Sequence, residues 1–179
     1  GPHPHDHVQV TRRPAAPRAF IAGSSALRHR NWPSRLIDTT RRHSSNESSS
    51  VGVFTRTSRA KTLDEVIFAT TTDASDDPVA EYCDFSGIPC TRGSLFDVLD
   101  RYYQTAKQAK ADVVVRITAD CPVIDPALID DVVNTLLEDE YDFVCNRLPP
   151  SWHRTYPIGL DVEACTFKNL EKAWKKAKE

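Results

Sequence analysis

The 179-residue chain leaves room for one domain with a sizeable core, and 40% hydrophobic with 27% charged residues is ordinary for a soluble globular protein. No apolar run approaches membrane-spanning length and no secretory h-region is present, so a cytoplasmic protein with no membrane partner is expected. Five cysteines, an odd number without a close C-x-x-C pair, fit reduced thiols better than a disulfide frame or a zinc site.

The net charge of −2 hides a split. Residues 1–50 carry eight arginines against three acids, a net of +5, and the remainder carries a net of −7. Segment 1–58 is rich in Pro, Arg, Ser and His and has only short apolar pieces such as Phe20-Ile21-Ala22. It is expected to be irregular or disordered, a solvated basic arm rather than a specific nucleic-acid reader. His3, His5 and His7 read as tag-like or incidental. With no methionine and a start at Gly-Pro-His, the chain is expected to be processed, tagged or cut from something longer.

From Arg59 onward the pattern is orderly. Val66–Thr70 reads as a short buried strand. Ser75 or Asp76 is expected to cap a helix over 76–87, with Pro78 in its first turn and Gly87 just past its end. Ile88–Thr91 reads as a strand, Arg92-Gly93-Ser94 as a turn, and Ser94 as the cap of a helix over 95–110. Phe96, Leu99, Tyr103 and Ala106 would form the apolar face of that helix. Val113–Thr118 is a β-branched run suited to a strand buried on both faces of a parallel sheet. Asp120 then sits at the strand's carboxyl end, where open α/β sheets bind ligands. A carboxylate there suits a hard cation such as magnesium, or it merely closes the turn. Asp125 and Pro126 open the next helix. Tyr141–Asn146 reads as a strand, 147–157 as a Pro-rich loop, Gly159–Ala164 as an alternating apolar–acidic segment, and 167–179 as a closing helix with Leu170, Ala173 and Trp174 on one face. Strand–helix alternation of this kind predicts a doubly wound α/β domain over 59–179.

The segments RAKTLDEVIFATTTDASDDPVAEYCDFSGIPCTRGSLFDVLDRYY, VVVRITADCPVIDP, YDFVCNRLPP and YPIGLDVEACTFKNLEKAWKKA resemble the SpsF-type spore coat polysaccharide biosynthesis proteins. These are grouped with the acylneuraminate cytidylyltransferases, the CMP-sugar synthetases. The resemblance runs from about Arg59 to Glu179. It implies a Rossmann-like nucleotidyltransferase fold of the glycosyltransferase-A type with a mostly parallel sheet. It implies transfer of a nucleotidyl group from CTP or another nucleoside triphosphate to an acidic or modified sugar in surface polysaccharide biosynthesis. Magnesium is needed and pyrophosphate leaves. A homodimer is the assembly implied.

The chemistry accords with the match, because attack on an α-phosphate is catalysed mostly by positioning and charge neutralisation. By resemblance Asp120 holds magnesium and is the catalytic carboxylate, and Arg92 and Ser94 lie beside the nucleotide. Arg101 supports them or pairs with Asp97 one turn earlier. Asp161 and Glu163 face the acceptor sugar or mark the solvated face of an edge strand. Asn146 is placed to hydrogen-bond a substrate, and His153 receives no catalytic role.

The departures are two. Family members open with a strand and a QARMxSxRLPGK-like loop that cradles the triphosphate, which residues 1–58 do not match. A shifted reading frame or an unrelated fusion is the expectation there. Relatives also continue to a TVD-x-x-x-D-like segment with a second metal-side aspartate. The domain is thus expected to be incomplete at both ends and to turn over little on its own. The competing expectation is a non-catalytic α/β module that binds a nucleotide or a partner, with the basic arm as its contact.

Overall fold

The computed structural model describes residues 19–23, 45–138, 141–146 and 155–177. A six-stranded sheet runs through it, in the order β3-β2-β1-β4-β6-β5. Four strands are parallel: β1 (Ala19–Gly23), β2 (Glu65–Thr71), β3 (Cys90–Gly93) and β4 (Val113–Thr118). Two antiparallel strands, β5 (Phe143–Cys145) and β6 (Glu163–Thr166), extend the β4 side. Helices α1 (Ser45–Thr57), α2 (Asp77–Ser86), α3 (Val98–Gln108), α4 (Pro126–Glu138) and α5 (Phe167–Lys176) complete the α/β domain, with a 3-10 turn over Ala74–Asp76. The expected α/β architecture with a mostly parallel sheet is present.

The β-branched run of β4 is buried on both faces, as its composition requires. Val113, Val115 and Ile117 join a core with Phe68, Val79, Ile129 and Val133, so α2 and α4 cover this face. Val114 joins Ile67, Ala69, Tyr102 and Ala106 beneath α3, and Leu170 of α5 packs against that cluster. Local signals set several boundaries. Asp125 Oδ1 accepts the Ala127 N–H at 2.9 Å, opening α4 at Pro126. Gly87, at φ 65°, closes α2.

Two stretches of the segment expected to be irregular form elements of the fold. Ala19–Gly23 lies between β2 and β4 at the centre of the sheet, with Gly23 opposite Ala69 on one side and Thr118 on the other. A central parallel strand needs only a few apolar residues, and Phe20-Ile21-Ala22 supplies them despite the polar composition around it. Ser45–Thr57 is helical although serine is a poor helix former. Packing supports this helix: Val53 is wholly buried, and the Phe54 ring stacks 6.0 Å from that of Phe68. The rest of the basic arm, with His3, His5 and His7, and the loop holding His153 lie outside the described residues.

The link from α1 to β2 is tied to α4. Both the amide and the hydroxyl of Thr62 donate to Asp130 Oδ1 at 2.8 Å. Partial burial pushes the Asp130 pKa up, but the Thr62 hydrogen bonds and the Lys61 charge more than offset it and leave it lowered from 3.8. A carboxylate lowered in the folded state adds stability that is complete above its unfolded value and fades as pH falls through the folded one. Asp130→Asn should therefore lower the urea midpoint at pH 6, and the gap from wild type should close as pH falls below the ordinary carboxylate range. A gap that stays constant over that range would show that Asp130 acts without its charge.

Candidate active site

Because β1–β4 run parallel and in register, their carboxyl ends form one edge, marked by Gly23, Thr71, Gly93 and Thr118. Two turns on this edge carry residues singled out from the sequence. At about 4.8 Å per strand, β3 and β4 lie roughly 14 Å apart across β2 and β1.

Asp120 is exposed, two residues past β4. The Thr118 hydroxyl donates to its Oδ1, while Oδ2 has no hydrogen-bond partner among the described residues. The turn beneath it is fixed by backbone bonds, Cys121 N–H to the Thr118 carbonyl and Ile124 N–H to the Cys121 carbonyl, both 3.1 Å. On one side Gly52 of α1 comes so close that a Cβ there would stand 3.3 Å from the Pro122 carbonyl oxygen. Gly159, at φ 93°, carries the chain over the same turn, where a Cβ would stand 3.9 Å from the Asp120 carbonyl oxygen. Asp120 thus helps close its turn and still presents one carboxylate oxygen outward.

In the other turn, Arg92 reaches back over the β2–α2 loop. Its Nε donates to the Thr71 carbonyl at 2.8 Å, and its Nη2 to the Asp73 carbonyl at 3.2 Å and to Asp77 Oδ1 at 2.6 Å. Ser94 does not cap α3, contrary to expectation. Its Oγ accepts the N–H groups of Phe96 and Asp97 at 3.2 and 3.0 Å, which closes a turn and delays the helix. Asp97 is the cap, accepting the Asp100 N–H at 2.8 Å. The later start also removes Phe96 from the apolar face, leaving it 89% exposed.

Arg101 is 2% exposed, and the Asp97 carboxylate does not pair with it. Its Nη1 donates to the Ser94 carbonyl at 2.5 Å, and its Nε has no partner among the described residues. Gly93 makes room for it: a Cβ there would stand 3.1 Å from Arg101 Cγ. A buried guanidinium without a carboxylate is costly unless an anion or water completes its hydrogen bonds. It braces the Arg92–Ser94 turn from beneath.

The remaining predicted residues lie around β6. The β4–β6 register sets Arg116 opposite Glu163, and their side chains pair at 2.8 Å. Asp161 precedes β6 by two residues and follows Gly159, which passes over the Asp120 turn. Asn146 stitches β5 to β6: its Nδ2 donates to the Leu160 carbonyl at 2.7 Å, and its Oδ1 accepts the Val162 N–H at 2.9 Å. Both ends of that amide are thus occupied by backbone. Among the described residues no group of three or more His, Cys, Asp or Glu side chains is arranged to hold a metal ion.

Sequence reasoning missed Asp76. It does not cap α2 through its side chain. Its Oδ2 accepts the Thr70 hydroxyl at 2.9 Å, the Thr71 amide at 3.0 Å and the Thr71 hydroxyl at 2.6 Å, all buried. It holds the end of β2 on the same edge. The run Thr70-Thr71-Thr72 shortly before it was the available signal.

Known proteins resemble this chain in sequence and fold. A family model described as "Cytidylyltransferase" matches residues 51–179. The uncharacterized protein MJ1063 of Methanocaldococcus jannaschii is 42% identical over 124 residues, which is 69% of this chain and 48% of that protein. The spore coat polysaccharide biosynthesis protein SpsF of Bacillus subtilis is 31% identical over 88 residues, 48% of this chain and 37% of that one. A 3-deoxy-manno-octulosonate cytidylyltransferase of Pelobacter propionicus is 34% identical over 89 residues, 49% of this chain and 33% of that one. The chain thus spans a third to about half the length of these relatives. The solved structure of a cytidylyltransferase from Leptospira borgpetersenii superposes with a TM-score of 0.67 at 27% identity, covering 88% of this chain and 63% of that one. Among the described residues, no helix is long and apolar enough to cross a membrane.

Proposed function

We propose a function from one premise: the chain belongs to the cytidylyltransferase family. The carboxyl edge of its sheet binds CTP with magnesium, and the whole protein transfers the cytidylyl group to a hydroxyl of an acidic or modified sugar, with pyrophosphate leaving. The observation that carries this reading is the outward Oδ2 of Asp120, held at the tip of β4 by Thr118 on the same edge as the Arg92–Ser94 turn.

Magnesium usually takes one or two protein carboxylates and completes its shell with water and substrate phosphates. Asp120 fits that pattern as a single ligand, and Asp161 follows Gly159, which passes over the Asp120 turn. When bound there, magnesium would neutralise charge on the phosphate oxygens. Arg92 supplies a guanidinium at the β3 end, oriented by the Thr71 and Asp73 carbonyls and shared with the Asp77 carboxylate. Arg101 acts through the Ser94 carbonyl and keeps the turn in place. Asp161 and Glu163 lie on the side expected for the acceptor, Glu163 already engaged by Arg116. The acidic-sugar acceptor rests on the likeness to the octulosonate cytidylyltransferase. A place in surface polysaccharide synthesis rests on the likeness to SpsF.

The test is calorimetric titration of the chain with CTP, UTP and ATP, each with magnesium and with EDTA. Magnesium-enhanced binding that favours CTP is expected. Equal, magnesium-independent binding of all three nucleotides would overturn the reading.

A further inference from the structure

Helix α2 and strand β3 are joined at two places. At the start of the helix, Asp77 pairs with Arg92 at 2.6 Å. Near its end, Cys83 meets Cys90, the first residue of β3, and the two thiols lie within hydrogen-bonding reach of each other. The chain between them is tightly wound. Gly87, at φ 65°, turns it out of the helix, and the Ile88 N–H closes back on the Cys83 carbonyl at 2.8 Å. The β2–β3 register then sets Cys90 opposite Phe68, and both cysteines pack in the core that Phe68 belongs to. Both are free thiols in this structure.

The two thiols differ in the way a reactive pair requires. Cys90 is half-buried. The hydrogen bond from Cys83 lowers its thiol pKa, burial works against this, and the Arg92 charge lowers it again, with the Asp76 charge opposed. Cys83 is wholly buried, and its hydrogen bond to Cys90, together with that burial, pushes its thiol up. The proton of the pair therefore stays on Cys83, and Cys90 carries the thiolate character. Oxidation favours a thiol that ionises readily, can be reached from solvent and sits beside a second thiol. Cys165 shows the opposite case, its thiol pushed up to about 11 by burial.

We propose that Cys83 and Cys90 form a peroxide-sensitive dithiol site, with Cys90 as the attacking thiolate and Cys83 as the resolving thiol. The Cys90 sulfur attacks one oxygen of hydrogen peroxide. An S–O bond forms, the O–O bond breaks, and the hydroxide that leaves takes up the proton Cys90 had lost. Cys90 is then a sulfenic acid. The Cys83 sulfur attacks the Cys90 sulfur, the S–S bond forms, the S–O bond breaks, and the hydroxyl leaves with the Cys83 proton as a second water. Two electrons have passed from the two sulfurs to the peroxide, and a dithiol reductant returns them. The new bond clamps α2 to β3 two residues before Arg92, on the same face of the strand. The site stands whether or not the carboxyl edge binds a nucleotide.

The test treats the full chain with hydrogen peroxide near neutral pH, stops the reaction with catalase, alkylates in denaturant and digests with trypsin. Residues 62–91 contain no lysine or arginine, so one peptide ending at Arg92 holds both cysteines. That peptide should lose two hydrogens and escape alkylation, and dithiothreitol should restore both thiols, while Cys121 and Cys165 stay alkylated throughout. Cys90→Ser should leave Cys83 a thiol under the same treatment. Cys83→Ala should leave Cys90 as a sulfenic acid that dimedone captures. Wild type gives a reading that no variant's folding can disturb: in the native, reduced chain Cys90 should alkylate at least about tenfold faster than Cys165. Amide exchange over Thr91–Ser94 should slow in the oxidised chain. A peptide that stays reduced while other cysteines oxidise, disulfides scattered among all five, or Cys90 alkylating no faster than Cys165 would overturn the site. Unchanged exchange over Thr91–Ser94 in the oxidised chain would overturn the clamp on the Arg92 turn.

Discussion

Asp120→Asn is expected to remove the magnesium dependence of CTP binding and to lower affinity at saturating magnesium at least about tenfold, a loss of roughly 1.4 kcal/mol. The substitution is nearly isosteric. The Thr118 hydroxyl can still donate to the carbonyl oxygen of the new amide, and the turn's backbone bonds do not involve the side chain at all. The thermal midpoint should therefore stay within about 2 °C of wild type, since an exposed change of this kind costs under about 0.5 kcal/mol. What is lost is the formal charge on Oδ2, the oxygen without a protein partner, and with it the attraction for a hard cation. Isothermal titration with and without EDTA reads both effects. An unchanged magnesium dependence would leave Asp120 as a turn residue only.

Asp76→Ala is expected to cost about 3 kcal/mol or more and to lower the thermal midpoint by about 10 °C. Asp76 is 4% exposed, and its Oδ2 collects three donors from Thr70 and Thr71. Truncation strands those donors in the interior, each at about 1–3 kcal/mol when unsatisfied. Asp76→Asn keeps an acceptor oxygen of the same reach and should lose much less. Thermal unfolding of the two variants separates the cases: equal losses would show that charge matters here rather than hydrogen bonding, and no loss in Asp76→Ala would show that water replaces the carboxylate.

Much of the frame could be read in the chain because local physics fixes it. The β-branched run Val113–Thr118 suits a buried strand, and Asp125 with Pro126 suits a helix start. Asp120 followed that strand, so its place on the carboxyl edge came with it. The unread parts depend on partners distant in sequence. Phe20-Ile21-Ala22 is too short to stand out from its polar surroundings, and only β2 and β4 on either side make it the central strand. Ser94 and Asp97 are both good caps, and the choice turned on Ser94 closing the turn first. That choice moved the helix start to Val98. The Arg116–Glu163 pair belongs to an antiparallel register spanning 47 residues, which no local pattern announces. Asp76 was hidden for a different reason: aspartate at a helix start reads as a cap, while its side chain turns the other way.

The central claim is that CTP and magnesium meet at the carboxyl edge, between the β3–α3 and β4–α4 turns. The most direct measurement is amide hydrogen exchange of the wild-type chain with and without magnesium–CTP, repeated in Asp120→Asn. The account predicts slowed exchange over Thr91–Asp97 and Thr118–Asp125 in wild type, lost over Thr118–Asp125 in the variant. Unchanged exchange in both turns under saturating nucleotide, or slowing confined to α3 and α5, would contradict it.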